Sequence, residues 1–236
     1  LQCDYSAYHR EVLYKNEDFG ITSEFVQERV IPNFVLLPSA GDNFQFWQER
    51  EGRDKNSPGR ILCPAIALED MYKLLLKATS IYRWEMLKTT LGVDWNNVSI
   101  PSITADYTDY MQFFRKNREL STEAKEKVAA DYKRARDDRG RFSNDYMIYM
   151  LQESQGVQKF NKVARKIFTK HIPFSREFRE HLSTLPNFAD HIQKSYNIRR
   201  KRAAELLPKY KKIRNGNDGM LPKELEENYD FWNMEW

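Results

Sequence analysis

The chain has 236 residues, of which 41% are apolar and 31% charged, with a formal net charge of +4 at pH 7. Its 14 Phe, 13 Tyr and 5 Trp exclude whole-chain disorder, because disordered chains are poor in aromatic residues; the length suits one large domain or two small ones. The longest nearly uncharged apolar stretch, residues 61–68, falls far short of the roughly 18 residues a membrane helix needs, so no membrane span is expected.

Residues 1–68 are punctuated by Pro32, Pro38, Gly41, Gly52, Pro58, Gly59 and Pro64, which forbid long regular elements there. Two apolar runs inside it, residues 33–37 and 60–63, read equally as short strands or as buried extended segments, since periodicity does not decide between them. Residues 48–60 are intensely polar and read as a solvated loop or a binding loop rich in guanidinium and carboxylate groups.

From Leu68 onward the pattern is helical. Met71, Leu75, Ala78 and Tyr82 recur at helical spacing, opposite a stripe of Lys73, Lys77 and Ser80. Leu74, Leu76, Ile81, Trp84, Met86 and Leu87 widen the apolar surface, which predicts a long helix over 69–91, buried on most sides and closed by Gly92. A second helix is expected from Thr104 to about Arg118, with Tyr107, Tyr110, Met111 and Phe114 on its apolar face. A third, over 121–138, has only Ala124, Val128, Tyr132 and Ala135 as its apolar line, which places it on the outside. Gly140 separates it from a fourth over 144–153, and Gly156 from a fifth over 157–171. Short helices follow Pro173 and Pro186, and a last one runs over 196–214, interrupted or kinked at Pro208. The tail, residues 215–236, ends in Phe231, Trp232 and Trp236, which predicts packing against the domain or into a neighbour's groove. No fixed-period repeat is present.

Charge is segregated. Residues 159–214 carry a net +12, residues 1–158 a net −3 and residues 215–236 a net −5. Lys159, Lys162, Lys166 and Lys170 stand three or four apart and share a helix face, while Arg199, Arg200, Lys201 and Arg202 form a denser cluster. These eight are the candidate contacts to a partner or to phosphate. Three readings fit them: a helix face balanced by the chain's own acids, phosphate binding to nucleic acid or an anionic surface, and docking on an acidic protein. The aromatics of this segment, Phe160, Phe168, Phe174, Phe178, Phe188, Tyr196 and Tyr210, fall at spacings that suit core faces better than stacking platforms.

Catalytic signatures do not emerge. His171, His181 and His191 stand ten apart, a spacing that matches no zinc motif; His171 reads as a cation at a helix C-terminus, and His9 is isolated. Asp106 and Asp109, three apart on a helix, read either as paired carboxylates or, by their place beside the helix start, as dipole-complementing residues. Cys3 and Cys63 are too few for a disulfide framework, which points to a reducing, cytoplasmic setting, and Cys63 reads as a small buried hydrophobe. No phosphate-binding glycine loop and no G-x-S-x-G turn is present, so no cofactor, metal or catalytic residue is expected.

The segment Tyr82-Arg83-Trp84-Glu85-Met86, with residues 92–98 (GVDWNNV) and 109–121 (DYMQFFRKNRELS), resembles a helical region of large, poorly characterised bacterial cytoplasmic proteins, some of them associated with cyclic-nucleotide-binding domains. The resemblance, which extends over about residues 38–214, implies signalling or scaffolding. A cyclic-nucleotide pocket needs a Phe-Gly-Glu cassette, whereas this chain reads Phe19-Gly20-Ile21, so that role passes to no residue here. The expectation is a mostly α chain: an irregular multi-helix domain over 69–214 around one long buried helix, an irregular segment over 1–68 packed on it, and an aromatic tail over 215–236. Its expected function is a non-catalytic interaction or regulatory module within a larger bacterial cytoplasmic protein, as the start at Leu1 rather than Met also suggests. Its partner is then another protein or another domain of the same chain, with nucleic-acid binding through 159–214 as the alternative.

Overall fold

The computed structural model describes residue 4 and residues 6–47, 57–135 and 137–233. The chain is mostly helical, with a strand-containing N-terminal region. Strands β1 (His9–Asn16) and β2 (Ile21–Arg29) form an antiparallel hairpin in which Val12 faces Val26. Strands β3 (Asn33–Gly41), β4 (Gln45–Trp47) and β5 (Arg60–Ala67) form a separate sheet in the order β3-β5-β4, with β3 parallel and β4 antiparallel to β5.

The helices are α1 (Met71–Leu91), α2 (Ile103–Phe113), α3 (Thr122–Ala135), α4 (Asp138–Leu151), α5 (Lys162–His171), α6 (Arg176–Ser183), α7 (Pro186–Gly216) and α8 (Lys223–Asn233). Side-chain caps begin several of them. Asp70 accepts from the N–H groups of Tyr72 and Lys73, Ser102 from Ala105, and Asn161 from Val163 and Ala164. None of the described helices is long and apolar enough to cross a membrane.

The main core is aromatic and joins helices distant in sequence. Phe142 of α4 lies at its centre, 5.2 Å from Trp84 of α1, 5.4 Å from Tyr107 of α2 and 5.6 Å from Phe168 of α5 (ring centroids). Tyr149 stacks on Phe174 at 4.2 Å. A second cluster, Ile21, Val26, Leu206, Tyr210 and Leu225, fastens the hairpin to α7 and α8. A third, Phe44, Ile61, Cys63, Leu74 and Ala78, packs the three-stranded sheet on α1.

Polar anchors link these clusters. Asp4 accepts from Arg83 (2.7 Å), from the Ser6 hydroxyl (3.0 Å) and from Tyr146 (2.8 Å), all buried. Glu153 holds Arg165 at 2.7 Å and accepts the N–H groups of Lys159 and Phe160, fixing the turn before α5. Asn228 of α8 accepts from the Gln27 N–H and donates to the Tyr210 hydroxyl.

Several expectations need correction. The described part of the first 68 residues is more regular than expected: the two apolar runs are strands, β3 and β5, which continue through Pro38 and Pro64, and a hairpin precedes them. Gly140 does not separate two helices; it sits in the first turn of α4, where its N–H donates to Asp137 at 2.7 Å. A Cβ there would stand 2.6 Å from the Ala135 carbonyl, so the close approach of α3 to α4 requires glycine. Helix α7 runs unbroken through Pro208, because the carbonyl deprived of its partner, on Ala204, belongs to an exposed residue that water can serve. Ser80 is buried, its hydroxyl bonded to the Lys77 carbonyl (2.6 Å) and 2.5 Å from that of Ser143. The first turn of α1 is exposed at Met71 and Tyr72, and α7 is longer than α1. The tail forms α8, with Phe231 buried, while Trp236 lies outside the described residues, as do residues 48–56 of the polar loop.

Asp4→Ala leaves the Arg83 guanidinium buried without its counter-charge and is expected to cost about 3–5 kcal/mol. Glu119→Ala removes an exposed partner 3.7 Å from Lys162 and is expected to cost less than about 1 kcal/mol. Urea unfolding of both variants measures the contrast, and equal losses would contradict it.

Candidate functional site

The eight cations marked by the sequence separate into two sets. Lys162 stands 3.7 Å from Glu119, Lys170 donates to Asp106 at 2.6 Å, and Arg202 lies 3.8 Å from Glu205. Arg199 donates to the Phe231 carbonyl at 2.6 Å, and its guanidinium lies over the Phe231 and Trp232 rings at 4.7 and 4.6 Å. Burial alone pushes its pKa down to about 8. It is an anchor for α8 rather than a surface contact. Lys159, Lys166, Arg200 and Lys201 are exposed. Elsewhere in the basic segment Arg165, Lys209 and Arg214 also meet the chain's own acids, Glu153, Glu24 and Glu226. Five acids outside the segment, Glu24, Asp106, Glu119, Glu153 and Glu226, therefore answer part of its +12.

The fold assembles one cluster that the sequence did not mark. A cavity of about 80 Å³ lies between the hairpin and α1, α2 and α5, with His9, Glu11, Gln27, Arg83, Ser102 and His171 among its lining. His171 Nε2 stands 2.7 Å from Asp106 Oδ2. Burial would raise the Asp106 pKa, but hydrogen bonds from His171 and Lys170 overcome it and hold the carboxyl at about 2. Burial lowers the pKa of His171 against that same hydrogen bond. Burial lowers His9 to about 4, helped by Arg83 and Arg29. Glu11 is pushed up to about 7 by burial, against the attraction of Arg202 and Lys170. Asp109, the other carboxylate singled out by spacing, is exposed and outside this cluster. Asp106 and His171 are far apart in the chain, and no local pattern announces their pairing.

This cavity is well below the roughly 300–1,000 Å³ of ordinary ligand pockets. Its Ser102 hydroxyl is committed to capping α2. Among the described residues no group of three or more His, Cys, Asp and Glu side chains is placed to hold a metal ion. A larger, open groove of about 350 Å³ lies over Trp95, but Lys88 already sits 4.9 Å from that ring and Arg139 is paired with Glu85 beside it.

The remaining feature is an apolar edge. β3 is the outer strand of its sheet, and among the described residues its pairing is to β5. Phe34 is 47% and Leu36 73% exposed, with Ile66 and Leu68 of the neighbouring strand and its exit exposed as well. No residue from 30 to 41 carries a charge.

The cavity's titrations have opposite signs. His9 and His171 have lowered folded pKa values, so each adds stability as pH rises toward the ordinary histidine value. Glu11, with a raised folded pKa, subtracts stability as pH rises from its ordinary value of 4.5 to about 7. Glu11→Gln is therefore expected to raise the melting temperature relative to the parent at pH 8 and to leave it unchanged near pH 4. A variant less stable at pH 8 than at pH 4, relative to the parent, would reverse that sign.

The model of a domain of unknown function, DUF8509, matches residues 92–231, spanning α2 to nearly the end of α8 and leaving both sheets and α1 outside it. No curated protein and no solved structure matches the chain. Since the match covers more than half of the chain, including α2, α4 and α5 of the aromatic core, this protein belongs to the DUF8509 family.

Proposed function

We propose that this protein is a non-catalytic interaction or regulatory module of a bacterial cytoplasmic protein, and that it meets its partner through the open edge of β3. The observation that carries this reading is the combination of a strand edge unpaired among the described residues, exposed Phe34 and Leu36, and a tract without charge. Natural edge strands are blunted by lysine, proline, bulges, shortness or a cover; here Pro32, Pro38 and the register break after Leu37 confine the open tract to residues 34–36, which carry no charge. An edge left open and apolar is a template for strand pairing. The tight cavity at His171 favours a structural role for its titrating groups over a reaction site. The resemblance to signalling or scaffolding proteins points the same way.

Nucleic-acid binding has narrower support. Half of the cations it needs lie against the chain's own groups, which leaves Lys159, Lys166, Arg200 and Lys201 as the exposed contacts.

A photo-crosslinking amino acid at position 36, in the natural host cell, tests the interaction reading. Adducts are expected at position 36 and not at position 98, an exposed valine remote from the edge in sequence. Equal yields at both positions would remove the reading. Titration with labelled duplex DNA and RNA tests the alternative; tight binding whose logarithm falls with log salt by roughly 0.9 per phosphate contact would favour it.

A further inference from the structure

The pairing of β3 determines which of its backbone groups are open. The Asn33 N–H donates to the Gly59 carbonyl at 3.0 Å, so Asn33, Val35 and Leu37 turn their polar groups toward β5. By the alternation of a strand, Phe34 and Leu36 turn theirs outward. Pro32 and Pro38, which have no N–H, bracket this tract, and the register with β5 breaks after Leu37. The open edge is thus short and sharply bounded. Its side chains follow the same alternation: Phe34 and Leu36 project on the face that also carries Ile61 and Cys63, the α1 side.

We propose that the occupant of this edge is a second copy of the chain, paired antiparallel about a two-fold axis at Val35, so that two three-stranded sheets become one of six strands. This rests on the interaction reading and names its partner. A two-fold axis normal to the sheet makes two identical strands antiparallel and keeps their α1 faces on the same side. Centring the axis on Val35 sets Phe34 opposite Leu36 twice, and each such pair exchanges both N–H···O=C bonds. Pro32 then falls opposite Pro38, so the positions without a donor face each other. The smallest slip that keeps outward groups facing, two residues, puts a proline opposite Phe34 or Leu36 and loses hydrogen bonds.

Charge and space agree with this register. The tract from 30 to 41 has no charge, so its own copy meets it without repulsion. Phe34 and Leu36 of one copy bury against Leu36 and Phe34 of the other, an aromatic–aliphatic cross-strand contact. Three strand spacings, roughly 14 Å, would separate the two β5 strands, against a helix diameter of about 10–12 Å, so two α1 helices fit on the shared face.

Sedimentation equilibrium of the full chain over roughly 1–100 µM is expected to show the 28.2 kDa species passing into its dimer. Leu36→Lys places an ammonium opposite Phe34 and is expected to weaken association by at least about tenfold. Because Leu36 is exposed in the single chain, the melting temperature of the dilute variant should barely move. Position 35 faces its own copy as a non-hydrogen-bonded pair, with Cα atoms about 4.5 Å apart, within disulfide reach. In a Cys3→Ser, Cys63→Ser background, Val35→Cys is expected to form an intermolecular disulfide, and Leu37→Cys is not. A chain that stays monomeric throughout overturns the proposal, as does a dimer indifferent to Leu36→Lys and not linked through position 35. A monomer that still crosslinks through position 36 to a different protein overturns self-pairing while leaving the interaction reading in place; a monomer without adducts removes both.

Discussion

The buried pair of Asp4 and Arg83 is the contact on which the arrangement of the two halves depends. Arg83 lies in the middle of α1, 8% exposed, where a lone guanidinium is costly to keep from water. Asp4 answers it with hydrogen bonds to both Nε and Nη2, and takes a third partner in the Tyr146 hydroxyl of α4. One carboxylate thereby joins the start of the chain to two helices of the main core. Exposed pairs such as Lys162 with Glu119 lose most of their attraction to water and fix nothing comparable.

With that junction set, the rest of the packing divides its duties. The aromatic core centred on Phe142 fastens α1, α2, α4 and α5 by ring contacts that need no polar partner. The hairpin is held differently. It packs on α7 and α8 through a small apolar cluster and through Glu24, which accepts from Tyr210 and Lys209. The C-terminal helix is locked from the other side by Arg199, whose guanidinium is spent on the Phe231 carbonyl and two rings. Much of the basic segment thus belongs to the internal wiring of the fold. The three-stranded sheet, by contrast, packs on α1 through one face, and among the described residues its outer strand is left open.

A cavity with two histidines and two carboxyl groups in or beside it invites a catalytic reading, and its physical chemistry argues for another. Burial lowers the pKa of both histidines, and hydrogen bonds from His171 and Lys170 lower that of Asp106 against its own burial. The space is a fraction of what an ordinary ligand occupies. The result is a titratable seam between the hairpin and the helices.

The sequence by itself determined the helical class, the position of α1 and its closing Gly92, the outward character of α3, and the core role of Phe168, Phe174, Phe188 and Tyr210, while Tyr196, read the same way, is exposed. Each of these rests on a local rule: apolar spacing near 3.6, a glycine at a helix end, or an aromatic at a core position. It stated the two runs around residues 33–37 and 60–63 only as alternatives, because a short apolar run has no period to read. The hairpin went unread, and residues 186–216 were read as two helices, the second interrupted or kinked at Pro208, because a local rule does not show that Ala204, whose carbonyl the proline deprives, is exposed. Only the tertiary structure decided which charges matter. Arg199 and Arg200 are neighbours of identical chemistry, yet one is half-buried against α8 and the other exposed. Asp106 meets His171, and Asp4 meets Arg83, across chain separations that no spacing rule spans. Ion pairing and burial depend on distance in space, and the sequence specifies that distance only through the completed fold.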